Sequence, residues 1–126
     1  MNVKIDTKEI FHVISLLDKD LTANMSASLQ AIITKTQAEE EKSLILDFSA
    51  VNSMDEAFAQ SLVGLSYKLY ANKKSFVICS FNETIKLLLV TLGLLEKLNT
   101  TPTESEAWDI VQMEEIEREL DSDFLP

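Results

Sequence analysis

The hydrophobic and polar positions of this chain follow two periods, one typical of strands and one typical of helices. Short apolar runs bounded by polar residues occur at 44–48 and 76–79, and each predicts a buried strand because it is too short for a helix. Two earlier segments, at about 2–5 and 11–17, are rich in strand-forming residues, and they predict a hairpin that turns across residues 6–8.

Helical spacing of apolar residues and capping signals predict four helices. They cover residues 24–38, 55 to about 70, 82–93 and 103–120. Asp55 and Asn82 stand where a side-chain oxygen can cap the first turn, and Thr103 with Glu106 forms a capping box. Two strands followed by alternating helices and strands predict an α/β (α+β) mixed sheet of about four to five strands, with helices mainly on one face.

Length and charge place further bounds on the chain. Its 126 residues, 46% hydrophobic, predict one globular domain over residues 1–120 with an acidic, frayed tail at 121–126. Residues 1–103 hold 10 Lys/Arg and 12 Asp/Glu, a net charge of −2, whereas residues 104–126 hold one arginine and nine acids, a net charge of −8. Because binding to nucleic acid or to an anionic membrane surface needs clustered Lys and Arg, both are poor candidates as partners.

Candidate catalytic and metal-binding groups are few. Two glycines cannot build a glycine-rich phosphate loop, and no Ser-His-Asp or Cys-His arrangement stands out, so we expect neither enzymatic activity nor a cofactor or metal. His12 has no second ligand near it and is expected to be a partly exposed strand residue. Cys79 is the only cysteine, and its apolar neighbours predict a buried thiol in a reducing compartment. No apolar run is long enough to span a bilayer and no secretory signal opens the chain, so a cytoplasmic location is expected.

The segment between the strand at 44–48 and the helix at 55 carries a recognisable motif. Leu46-Asp47-Phe48-Ser49, followed by Val51, Met54 and Asp55, resembles the switch segment of the STAS family, which sulphate transporters and bacterial anti-sigma-factor antagonists share. Residues 91–94, Thr-Leu-Gly-Leu, and residues 20–24, Asp-Leu-Thr-Ala-Asn, are similar to two further family segments. The resemblance implies the STAS fold and spans most of residues 1–112.

The resemblance also implies a function and a binding surface. In antagonists of this family a partner kinase phosphorylates a serine, and the added charge breaks the complex. Here that serine position holds Glu56 and the following glycine position holds Phe58, so the phosphate switch is missing although the motif is present. The implied partner is an anti-sigma factor with a histidine-kinase-like fold, and its predicted contacts are Asn52, Ser53, Asp55, Glu56, Phe58 and Ala59. Helical spacing favours an inward Phe58.

Several alternatives stay open at this point. Asp55 and Glu56 are also what an ordinary helix start favours, through capping and the helix dipole. Ser53 is a loop hydroxyl and therefore a candidate phosphosite. The chain could instead be a phosphorylation-independent STAS subunit of a lipid-transport ABC complex. Asp47 together with the acidic pair could hold Mg²⁺ as in a receiver domain. Homodimer formation is open, as is docking of the acidic last helix onto a partner.

Overall fold

The computed structural model describes residues 1–124, which form seven strands and four α-helices. In chain order they are β1 (Val3–Thr7), β2 (Phe11–Leu16), β3 (Asp20–Leu21), α1 (Ala23–Glu39), β4 (Ser43–Asp47), β5 (Ser53–Met54), α2 (Glu56–Ala71), β6 (Phe76–Cys79), α3 (Glu83–Thr91), β7 (Asn99–Thr101) and α4 (Glu104–Phe124). A single 3₁₀ turn, Leu95–Lys97, separates α3 from β7. The four predicted strands and the four predicted helices are therefore present, and three further short strands, β3, β5 and β7, join them.

Five of the strands make one mixed sheet in the order β1-β2-β4-β6-β7. β1 pairs antiparallel with β2, as the hairpin prediction requires, and all other neighbours in this sheet are parallel. The predicted mixed sheet is confirmed, and β4 occupies its centre. Because the carboxyl ends of parallel strands meet at one edge, the loops after β2, β4 and β6 gather on the same side of the molecule.

The sheet is covered on both faces. α1, α2 and α3 supply the large core on one face, where Leu29, Phe58, Leu62 and Ile85 pack on alternate residues of the strands. α4 covers the other face, and its Ala107 and Val111 close a smaller core that includes Phe11, Val13, Ile45 and Val77. Three of the four helices thus lie on one face, in agreement with the prediction.

Polar side chains join α4 to the rest of the domain around residues 114–118. The Arg118 guanidinium donates to Glu115 Oε1 at 2.6 Å and to Ser75 Oγ at 2.9 Å, and Tyr70 Oη donates to Glu114 Oε1 at 2.8 Å. Ser43 Oγ donates to the same Glu115 oxygen at 3.0 Å. These bonds fix which face of α4 points inward.

The end of α4 differs from the prediction. The helix was expected to end at residue 120, but it continues to Phe124. The fraying predicted for residues 121–126 stays a prediction. No glycine or proline interrupts the chain until Pro126, so nothing in the sequence forces the helix to end at 120. Residues 125 and 126 lie outside the described part of the chain.

His12 is also placed differently from the expectation. Its side chain is buried, with 2% of its surface exposed, because the end of α1 lies over this part of β2. Nε2 donates to the Glu40 carbonyl at 2.7 Å, and Nδ1 lies 2.9 Å from Thr7 Oγ1. Both ring nitrogens are therefore engaged, which is the arrangement of a structural histidine.

Candidate protein-binding site

Two loops at the carboxyl edge of the sheet are joined by a short parallel ladder. β3 pairs with β5 in register Asp20 with Ser53, and the N–H groups of Asn52 and Ser53 donate to the Lys19 carbonyl at 2.7 and 3.1 Å. Residues 19–21, from the loop after β2, are thereby fixed beside residues 52–54, from the loop after β4. The motif segment is consequently a braced structure and not a free loop.

Asp55 caps two helices at once. One carboxylate oxygen accepts from Phe58 N, in the first turn of α2, at 2.8 Å. The other accepts from Ala23 N, the first residue of α1, at 2.7 Å. Thr22, the residue in the N-cap position of α1, makes no side-chain capping bond. The positive ends of two helix dipoles therefore converge on one carboxylate.

The side chains of Ser53 and Asn82 extend this bracing. Ser53 Oγ donates to Asp20 Oδ1 at 2.6 Å, so its hydroxyl is engaged across the ladder. Asn82 caps α3 by accepting from Ile85 N at 2.9 Å, and its amide donates to the Asn52 carbonyl at 2.9 Å. Three loops are thus held together by side chains that each serve two elements.

Glu56 stands apart from this network. Glu56 is exposed in the first turn of α2. Its carboxylate accepts a long hydrogen bond, 3.4 Å, from Gln60 Nε2 of the same helix. In contrast to the Asp55 carboxylate, it holds no second element in place. Its negative charge is accordingly presented to solvent at the N-terminus of α2.

Phe58 and Ala59 do not reach the surface. Both side chains are fully buried in the core beneath α2, which confirms the inward orientation predicted for Phe58. They had been included among the partner-contacting residues, and their burial corrects that assignment: in this conformation they support the surface from below. The exposed or partly exposed members of the predicted set are Asn52, Ser53, Asp55 and Glu56.

The exposed charges around these residues are mainly acidic. Asp20, Asp55, Glu56 and Glu83 face solvent at this edge, and the exposed basic residues near them are Lys19 and Lys86. A surface of this kind is complementary to a basic surface on a partner, which would speed encounter and favour the correct orientation.

The receiver alternative does not agree with the fold. The Asp47 carboxylate is engaged locally, since its two oxygens accept from Ser49 N at 2.9 Å and Ser49 Oγ at 3.2 Å. No group of three His, Cys, Asp or Glu suited to a metal ion occurs within the described residues. The antiparallel pairing of β1 with β2 is moreover incompatible with the five parallel strands of a receiver.

The cap of α2 could be predicted from the sequence, whereas the hydrogen bonds between the loops could not. Asp20, Asn82 and the second oxygen of Asp55 join segments that are distant along the chain, and none of these pairings has a local signature. The available signal was the matched segment at residues 20–24, which placed Asp20 in a family loop without saying what it contacts.

The geometry defines the class of protein. A mixed five-stranded sheet has three helices on one face and a C-terminal helix on the other, and a braced acidic loop surface lies at the start of α2. A family model described as the STAS domain matches residues 3–107. The chain belongs to the STAS domain family. Within residues 1–124, no helix combines the length and the apolar character that crossing a membrane requires.

Solved structures with the same fold include several anti-sigma factor antagonists. One from Mycobacterium paratuberculosis matches with a TM-score of 0.75 at 17% identity, over 88% of this chain and 93% of that one. SpoIIAA in its unphosphorylated form matches with a TM-score of 0.71 at 19% identity, over 88% and 96%. A serine-to-glutamate variant of RsbS from Moorella thermoacetica matches with a TM-score of 0.72 at 18% identity, over 89% and 96%. At these identities the matches show a shared fold.

Proposed function

We propose that this chain is a non-enzymatic regulatory domain that binds another protein through the loop surface formed by Asn52, Ser53, Asp55 and Glu56. The proposed partner is an anti-sigma factor with a histidine-kinase-like fold. The observation that carries the proposal is the state of Glu56. Its carboxylate is exposed and holds no second element in place. The proposal takes this residue to lie at the position where the family's antagonists have their serine, as the resemblance of the motif implies.

Glu56 changes how such a surface is regulated. A carboxylate has no hydroxyl to accept a phosphoryl group, so a partner kinase cannot switch this position on and off. It carries one negative charge, against about −1.5 to −2 for a phosphoserine at neutral pH, and it has fewer acceptor oxygens. We infer that Glu56 replaces a switch by a constant charge.

The sign of that charge's effect is what an experiment must determine. If Glu56 acts like the phosphorylated state, it repels the partner and holds the complex weak. If it instead contacts a basic group on the partner, it strengthens the complex and the protein is permanently active. One close charge contact near a surface contributes up to a few kcal/mol, so either effect is measurable as a change in Kd.

The partner is first identified by capture from the native host, with the wild-type protein as bait and mass spectrometry of what binds. A kinase-like regulator supports the proposal. An ABC ATPase would support the second candidate, a phosphorylation-independent accessory subunit, which the absence of a hydroxyl at position 56 also favours. If the specific binders include neither a kinase-like regulator nor an ABC ATPase, both candidate functions are contradicted.

Kd is then measured for wild type, Glu56→Gln and Glu56→Ser, with Glu39→Gln as a matched control that removes an exposed acid at the far end of α1. We expect both Glu56 variants to change Kd in the same direction by about tenfold, equal to about 1.4 kcal/mol. Tighter binding identifies repulsion, and weaker binding identifies a direct contact. Unchanged affinity in both variants would remove Glu56 from the interface.

A further inference from the structure

α3 exposes an apolar ridge that no other element in residues 1–124 covers. Leu87 is 67% exposed and Val90 is 52% exposed, three residues apart and therefore on the same side of the helix. Shallow grooves lie on both sides of the ridge. One, of about 330 Å³, is lined by residues that include Met54, Thr84 and Leu88. The other, of about 250 Å³, runs from Val90 past Gly93 and Leu95.

The charges that flank this face are of both signs. Glu83 and Lys86 lie near the start of α3, and Glu96 and Lys97 lie in the 3₁₀ turn that follows it. All four residues are exposed, and none of them forms an ion pair with another residue in the described part of the chain. An acid and a base are therefore available at each end of the ridge.

The other exposed apolar stripe, on α4, has a different surround. Met113, Ile116 and Leu120 are 59%, 56% and 50% exposed. The exposed charged residues beside them, Glu117 and Glu119, are acids, and residues 104–126 carry a net charge of −8. Two copies meeting through α4 would bring like charges together, which is unfavourable. The α3 face has no such barrier to self-association.

We propose that a second copy of this chain covers the α3 face, forming a two-fold symmetric homodimer. In an antiparallel arrangement of the two α3 helices, the Leu87–Val90 ridge of each copy packs into a groove of the other, as helix ridges and grooves do. The Glu83–Lys86 end of one copy then lies near the Glu96–Lys97 turn of its partner, where opposite charges can pair at both ends. A two-fold axis makes each contact occur twice.

The dimer is expected to be weak. α3 is a short helix of nine residues, whereas each partner in a stable complex buries roughly 800 Å². Association should therefore depend on concentration. Because Met54 lines one groove and directly precedes Asp55, the dimer interface adjoins the proposed partner-binding surface while using different side chains.

The test is sedimentation velocity of the full chain over about 1 to 500 µM, a range chosen for a small interface. Wild type should shift from a monomer of 14.2 kDa towards twice that mass as concentration rises. Leu87→Ser/Val90→Ser should stay monomeric, or raise the dimer Kd by at least about tenfold. Met113→Ser/Ile116→Ser, the same chemistry on α4, should dimerise as wild type does.

A second variant tests the charges without touching the ridge. Lys86→Glu/Lys97→Glu makes all four flanking charges acidic and should also abolish the dimer. Circular dichroism verifies that each variant is folded. A wild type that remains monomeric throughout the range overturns the proposal. A dimer that survives the α3 substitutions, or that is lost in the α4 control instead, also overturns it. None of these results depends on the partner proposed for the Glu56 surface.

Discussion

Asp55 should stabilise the fold more than an ordinary helix cap does, because its two oxygens accept from the first turns of α1 and α2. Loss of one capping side chain typically costs about 1 kcal/mol, within about 0.5–2. Loss of a negative charge near a helix N-terminus adds about 0.3–1 kcal/mol per helix at an exposed site. For two helices we therefore expect Asp55→Ala to lower the free energy of unfolding by about 3–4 kcal/mol.

Three control variants separate the double cap from a single one. Asp55→Asn keeps one acceptor oxygen, so it can still cap one helix and should cost about half as much as alanine. Asn82→Ala removes the cap of α3 and should cost about 1 kcal/mol. Thr22→Ala should cost less than about 0.5 kcal/mol, since Thr22 makes no capping bond although it occupies the N-cap position of α1.

The assay is equilibrium unfolding in urea followed by far-UV circular dichroism, with the slope on denaturant compared between variants to confirm similar unfolding. The reasoning fails if Asp55→Ala costs no more than Asn82→Ala. It also fails if Thr22→Ala is as damaging as Asp55→Ala, because α1 would then be capped by its own residue.

Further predictions concern the core, the thiol and the loop hydroxyl. Phe58→Ala should lower the free energy of unfolding by about 3–5 kcal/mol, since the side chain is fully buried. The folded fraction of this variant should keep its affinity for the captured partner. A mild change in stability would contradict the placement of Phe58 in the core. Burial raises the pKa of the Cys79 thiol from 9.0 to about 11, so the folded state favours the protonated form. That stabilisation is complete below pH 9 and is lost as the pH rises through 11, so the free energy of unfolding of the wild type should fall by roughly 2–3 kcal/mol in this window. In Cys79→Ala the free energy of unfolding should fall less steeply with pH. Equal slopes of unfolding free energy against pH in the two proteins would show that the thiol is not the cause. Incubation with a captured kinase and ATP should leave position 56 unmodified. If mass spectrometry instead finds stoichiometric phosphate on Ser53 in protein from the native host, Ser53 is the regulatory phosphosite.

Much of the secondary structure could be predicted because it depends on neighbours along the chain. The apolar runs that form β4 and β6 and the helical spacing after Asp55 are local patterns, and burial of Phe58 follows from the same spacing. The cap of α2 was predictable for the same reason, since its donor lies three residues from Asp55. These elements form where local preference and tertiary packing agree.

Features that depend on distant parts of the chain required the tertiary structure. The second cap made by Asp55 joins residues 32 positions apart, and the β3–β5 ladder consists of strands too short to show any period. Burial of His12 depends on where the end of α1 lies, at the Glu40 carbonyl. By itself the sequence determined four of the strands, the four helices and the acidic pair at the start of α2. Folding decided that the Asp55 carboxylate accepts hydrogen bonds from two helices and that the Glu56 carboxylate stays exposed, because that division depends on which N–H groups from other segments reach each carboxylate.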